Sequence, residues 1–204
     1  VKTKDDIRPM TNKTLSSGSQ TYLSGASGNY SIFGSSAGGI YTYVIAVKGG
    51  QSNVITITSA AYAYGGNGYG IGIYPNAGGG SNNTVINLGT VAGYDGGANI
   101  SGINNVFSNA STGIIKSTGA GIRPVGIDFF TAATGATFWN AGTIALARSA
   151  AGAMVVMQAG GVVTNTSSGT ITGDIIIDKQ FDQAGNTALR TVGVGIVLNS
   201  GVLN

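Results

Sequence analysis

One short pattern limits what this chain can fold into: Asn-x-Gly-x-aliphatic, returning at uneven intervals. Val85-Ile86-Asn87-Leu88-Gly89-Thr90-Val91, Phe138-Trp139-Asn140-Ala141-Gly142-Thr143-Ile144 and Val197-Leu198-Asn199-Ser200-Gly201-Val202-Leu203 share one length. Asn109-Ala-Ser-Thr-Gly113-Ile114-Ile115 and Asn165-Thr-Ser-Ser-Gly169-Thr170-Ile171 carry two more residues before the Gly. From Asn87 to Asn199 the separations are 22, 31, 25 and 34 residues. Helical repeats keep a nearly fixed period, whereas a β-solenoid coil keeps its strands and varies its loops. A weaker step from Gly into aliphatic residues lies between the copies, at Gly119-Ala-Gly121-Ile122, Gly152-Ala-Met154 and Gly193-Val-Gly195-Ile196. Each coil therefore reads as a strand ending at the Asn, a corner, a strand starting near the Gly, then a loop and a third strand.

The expected fold is all-β, a right-handed parallel β-helix. Asn and Gly tolerate the left-handed backbone that a tight corner uses. Stacked Asn side chains can hydrogen-bond along the stack. One coil cannot bury its apolar face alone, and several stacked coils can. At ~23–28 residues and a ~4.8 Å rise per coil, the chain would hold about seven to nine coils, roughly 35–45 Å in length. The competing architecture is an antiparallel sandwich, which would show more two-residue hairpin signals than occur here.

Organisation along the chain is uneven. Residues 1–20 are polar, hold four of the ten basic residues, and read as a flexible leader or edge strap. Residues 21–204 read as the solenoid, with 21–84 an expected N-terminal cap region and 85–204 the clear coil repeats. Strand signals stand at residues 40–47 and at Val54–Thr58. The last copy, ending at Asn204, opens a new coil, which suggests part of a longer protein.

Composition narrows the chemistry. Only 8% of residues are charged, with 36 Gly, no His and no Cys. Without His and Cys there is no Ser-His-Asp triad, no Cys-His pair and no conventional zinc site. No cofactor and no metal are expected. The net charge of +3 is scattered outside the first thirteen residues, so no basic stripe for nucleic acid is present. No apolar run reaches the ~18 residues of a membrane-spanning helix.

Asp174, Asp178 and Asp182 form the one acidic cluster. It reads as a solvated loop sooner than as a Ca²⁺ site or a glycosidase pair, because Ca²⁺ takes 6–8 oxygen ligands. Gly65-Gly66-Asn67-Gly68-Tyr69-Gly70 lacks the Asp of a calcium nonapeptide. Tyr62, Tyr64, Tyr69 and Tyr74 are the candidate binding residues, since Tyr offers a rigid amphipathic contact face; packing at one end of the solenoid is the plainer account of them. Phe138 and Trp139 read as a core plug and a coil cap.

At the repeats the sequence resembles the passenger domains of bacterial autotransporters, the type V secreted surface proteins. The stretch from Asn140-Ala-Gly-Thr-Ile144 through Gly152-Ala-Met154 to Asn165-Thr-Ser-Ser-Gly-Thr-Ile171 is similar to their Asn-x-Gly-x-Ile rungs with a Gly-Met step between. The likeness covers about residues 85–204. It implies a secreted, non-catalytic adhesin or self-association module displayed at the bacterial outer membrane, where such passengers serve virulence. The expected partner is a host-cell surface protein or glycan, or a second cell's copy; the membrane is touched only through a C-terminal barrel outside this chain. A β-helix carbohydrate-active enzyme or tailspike-like module, needing Asp128, Asp174, Asp178 and Asp182 on one face, and a purely structural stalk are the alternatives.

Overall fold

The computed structural model describes residues 10–15, 21–24, 28–36, 43–48, 51–74, 80–119, 125–130, 133–146, 153–177, 180–181, 187–188 and 195–204. They form a parallel β-helix. The first coil holds β1 (Met10–Leu15) and β2 (Thr21–Ser24), the second β3 (Asn29–Ser36) and β4 (Tyr43–Lys48). The third holds β5 (Val54–Ile57), β6 (Tyr62–Gly65) and β7 (Tyr69–Tyr74), the fourth β8 (Thr84–Asn87), β9 (Thr90–Gly93) and β10 (Gly96–Ile100). The fifth holds β11 (Val106–Asn109), β12 (Ile114–Ser117) and β13 (Val125–Phe129), the sixth β14 (Thr137–Asn140), β15 (Thr143–Leu146) and β16 (Ala153–Met157). The seventh holds β17 (Gly161–Asn165), β18 (Thr170–Ile171) and β19 (Asp174–Ile177). A small antiparallel pair, β20 (Gln180–Phe181) with β21 (Thr187–Ala188), follows before β22 (Gly195–Asn199) and β23 (Val202–Leu203) of the eighth.

Corresponding strands stack into three parallel walls. Wall A runs β1-β3-β5-β8-β11-β14-β17-β22, and wall B runs β2-β4-β7-β10-β13-β16-β19. Wall C runs β6-β9-β12-β15-β18-β23 and begins on the last residues of β3, which bends round the corner and joins walls A and C. Residues 21–84 thus supply strands to the same three walls as residues 85–204. Of residues 1–20, Met10–Leu15 pairs in parallel with Asn29–Gly34; the rest lies outside the described residues.

Inside, each wall sends alternate residues to the axis. In wall A, Ile55, Val85, Phe107, Phe138 and Val163 share one column. In wall C, Val91, Ile115, Ile144 and Ile171 share another. All are fully buried in one continuous core. Phe138 is the centre of an aromatic trio, 6.1 Å from Phe107 and 6.2 Å from Phe129. Trp139 does not cap a coil. It points outward from wall A, because it is one residue out of phase with Phe138, and is half exposed.

The five motif asparagines share one column. Each donates from Nδ2 to the next Oδ1: Asn87 to Asn109, Asn109 to Asn140 and Asn140 to Asn165 at 2.8 Å, and Asn165 to Asn199 at 2.9 Å. In the second and third coils the position belongs to Ile32 and Ile57. A second column, absent from the sequence reading, lies at the other end of wall A. Asn53 donates from Nδ2 to Asn83 (2.9 Å), and Asn83 to Asn105 (3.2 Å). Asn105 closes it on the carbonyls of Ser101 and Gly102.

The left-handed backbone clusters at this second corner, at Ser52, Asn82, Asn104, Gly135 and Gly160; Gly34, in the bend of β3, shares it, and none of the motif glycines does. The motif Gly is needed for space. A Cβ on Gly142 would lie 2.2 Å from the Gly113 carbonyl and 2.3 Å from that of Ala110.

That contact discloses a period of two coils. The corner from wall A to wall C is short at residues 88–89, 141–142 and 200–201, and long at 58–61, 110–113 and 166–169. Short and long corners alternate without exception from the second coil to the eighth. Each long corner is a turn, with Ala61, Gly113 and Gly169 N–H bonded to the carbonyls of Thr58, Ala110 and Thr166. The short corner above drops its Gly onto that turn. A hydroxyl of the long corner ties down to the coil below, Thr112 to the Leu88 carbonyl (2.8 Å) and Ser168 to that of Ala141 (2.9 Å). Coil lengths follow suit: Asn29, Val54, Thr84, Val106, Thr137, Val162 and Ile196 stand in register at steps of 25, 30, 22, 31, 25 and 34.

Candidate functional site

The outer side of wall B carries the densest polar chemistry. Tyr43 and Tyr69 stand in register on adjacent strands and stack, ring centroids 5.7 Å apart at 15°. Both rings lie flat along the wall because glycines leave room. A Cβ on Gly72 would meet the Tyr43 ring at 2.2 Å, and one on Gly96 the Tyr69 ring at 2.7 Å. Above them Asn99 of β10 and Asp128 of β13 occupy neighbouring positions of one column. Asn99 hydrogen-bonds Tyr69 and reaches towards Asp128, Nδ2 to Oδ2 3.5 Å. Gln158, just past β16, donates from Nε2 to Asp128 Oδ1 at 3.0 Å and Oδ2 at 3.3 Å. A polar line thus climbs from β7 past β16.

Its Asp128–Gln158 end is closed to solvent, while Tyr43, Tyr69 and Asn99 are partly buried. Asp128 is 7% exposed and Gln158 is 2% exposed. Burial pushes the Asp128 carboxyl up to about 6, opposed by the Gln158 hydrogen bond. Burial also raises both phenols, with Asp128 and Asp95 adding to the effect, and Tyr43 is pushed up to about 12. Asp95, half-buried in the turn before β10, is raised by burial too. A carboxyl held near 6 can exchange its proton close to neutral pH, the property of a general acid or of a pH-responsive structural group.

The tyrosines singled out from the sequence do not form one surface. Tyr62 and Tyr64 lie on wall C, their rings 6.2 Å apart. Lys116 Nζ sits 5.6 Å from the Tyr62 ring centroid, and Thr118 Oγ1 bonds Tyr64 OH at 3.2 Å. Burial and neighbouring Tyr64 raise Tyr62. Tyr69 is on wall B with Tyr43, a partner the sequence reading left out. Tyr74 ends β7 opposite Lys48 in register, and its side chain lies outside the described residues.

The acids are also dispersed. Asp128 is buried in β13, and Asp174 is exposed at the start of β19, two coils further on. Asp178 and Asp182 lie outside the described residues. Among the described residues no group of three acids could hold a metal ion, and no helix is long and apolar enough to cross a membrane. No family model, curated protein or solved structure matches this chain.

Proposed function

We propose that this chain is the β-helical wall of a secreted surface adhesin that works by self-association, of the autotransporter passenger type, and that it is non-catalytic. The observation that supports this reading is the outer face of wall A. From β3 to β22 its outward columns run Asn29 to Ile196 and Ser31 to Leu198 without one charged residue. Trp139 is 50% exposed and Leu198 is 55% exposed on that face. An uncharged face meets its own copy without like-charge repulsion, and an exposed Trp is a typical energetic anchor. The face is about 29 Å along the stack and about 13 Å across, from strand spacing and rise per residue. That area suits a weak contact that gains strength by multiplication between two cells displaying many copies.

The purified chain is expected to self-associate weakly in analytical ultracentrifugation, and beads or cells displaying it to clump. Trp139→Lys should abolish both while the circular dichroism spectrum stays unchanged. A wild type that remains monomeric at millimolar concentration and fails to clump cells ends the self-association reading. The secretion class is checked in the gene, where a signal peptide upstream and a barrel domain downstream are expected.

A further inference from the structure

Asp128 is a buried carboxylate with a meagre set of partners. Its one close donor is the Gln158 amide nitrogen, which lies near both of its oxygens. The other half of the same amide is unsatisfied: Gln158 Oε1 is buried and has no hydrogen-bond partner. A buried polar atom left unpaired is costly, and so is a buried charge without a counter-charge. The groups facing Asp128 supply no cation among the described residues. Tyr43 on β4 and Tyr69 on β7 keep their protons through the neutral range, Asn99 on β10 is neutral, and Asp95 is itself an acid. On β16 the register partner is Val156. One proton answers both deficits, because a neutral carboxyl is a donor as well as an acceptor.

We propose that Asp128 and Gln158 are a proton-operated latch on wall B. With its carboxyl protonated, Asp128 donates from O–H to Gln158 Oε1 while its carbonyl oxygen accepts from Gln158 Nε2. The result is a two-bond ring made by a small turn of the amide. Loss of the proton leaves a buried anion held by the Gln158 amide and, at 3.5 Å, the Asn99 amide, with no cation facing it among the described residues and the Gln158 Oε1 still orphaned, and the seam between β13 and β16 loosens. No covalent bond changes; one proton passes between Asp128 and solvent.

The sign follows from linkage. In the folded chain the carboxyl holds its proton up to about 6, whereas an unfolded Asp releases it near 3.9. Between these values the native state binds more protons than the unfolded state, so stability falls as pH rises. The latch contribution is complete below about pH 4 and gone above the folded-state value. A separation of about two units corresponds to about a hundred-fold in the folding equilibrium constant.

The test compares urea unfolding of the wild type and Asp128→Asn from pH 4 to pH 7.5. Asn supplies a permanent donor to Gln158 Oε1 and mimics the protonated state. The ratio of the two folding constants should shift about a hundred-fold in favour of Asp128→Asn over this range. Hydrogen exchange should show 125–130 and 153–157 of the wild type opening faster above pH 6 than below pH 5, after correction for intrinsic exchange. A ratio that stays flat with pH overturns the latch. Should the variant not fold, the carboxyl ¹³C shift of Asp128 in the wild type decides: a midpoint near 6 supports the proposal, and one near 4 overturns it.

Discussion

The motif asparagines are more than corner residues, because each joins two coils through a single carboxamide. Asn140 accepts from Asn109, donates to Asn165, and reaches the carbonyls of Gly142 and Thr170 at 3.2 and 3.3 Å. Removing it strands the buried Asn165 Oδ1, which accepts from it, while Asn109 Nδ2 keeps the Gly113 and Thr143 carbonyls. Asn140→Ala should therefore cost about 1–3 kcal/mol, the cost of one stranded group. Along the ladder Asn199 only accepts, from Asn165, whose amide keeps the Gly169 and Val202 carbonyls; its other bonds, to the Gly201 carbonyl and N–H, are exposed and local. Asn199→Ala should cost about 1 kcal/mol or less. Equal losses in denaturant titrations would show that the ladder does not carry this energy. The first ladder was legible because each Asn is followed by a Gly and an aliphatic pair. The second was not: Asn53, Asn83 and Asn105 precede ordinary strands, and nothing beside them marks a corner except the residue before each, Ser52, Asn82 and Asn104. Asp128 left a fainter trace, an acid inside the apolar run Val125-Gly-Ile-Asp-Phe-Phe130 of a chain with few charges. Its partner, thirty residues on in Gln158, had no local signal.

At the level of elements, the asparagine spacing looked irregular because coils alternate: the corner contributes two residues of each alternation, and the loops between walls C and B and between walls B and A contribute the rest. One coil is not the repeating unit; a short-cornered coil and a long-cornered coil together are. The five motif copies alternate between the two corner lengths in the sequence itself, and extending that alternation to the second and third coils needed Ile32 and Ile57 to be recognised as ladder positions without Asn. The role of the motif Gly was misjudged for a physical reason. Sequence shows that a side chain is absent, and only the stacked neighbour shows that a carbonyl occupies its place. Deleting residues 84–136, a whole two-coil unit, keeps short on long at the new seam. Deleting residues 84–105 sets the long corner 110–113 upon the long corner 58–61. The first deletion should melt cooperatively within about 10 °C of the parent, a shift of a few kcal/mol at most. The second should melt broadly or not fold, as circular dichroism and calorimetry would show. Similar melts for both would remove the two-coil unit from the account.

Over the whole molecule, strand pairing among the described residues joins each coil only to its neighbours, and only side chains such as Lys116 on Tyr62 and Thr118 on Tyr64 reach one coil further, so stability is close to a sum of seams. In the coil of β22 and β23 the inward-column residues Val197 and Leu203 are 43% and 47% exposed, against fully buried Val163 and Ile171 beneath them. Hydrogen exchange measured on this chain should thus show protection lowest in 195–204 and rising towards β8–β16. Uniform protection across all strands would instead mark one all-or-none unit. The fold class was readable at this scale because stacking needs repetition. The faces were not, because outward residues answer to no periodic constraint: an uncharged wall A and a clasped Tyr62–Lys116 pair on wall C look alike in a list of strands. The asparagine column adds a last property. Its four ladder bonds all run the same way, nitrogen towards the higher-numbered coil, and the two ladder bonds of the second column share that sense. Aligned amide dipoles add, as peptide units do in a helix. The column is in effect an arrow drawn through the protein, and a coil laid down upside down would bring N–H against N–H.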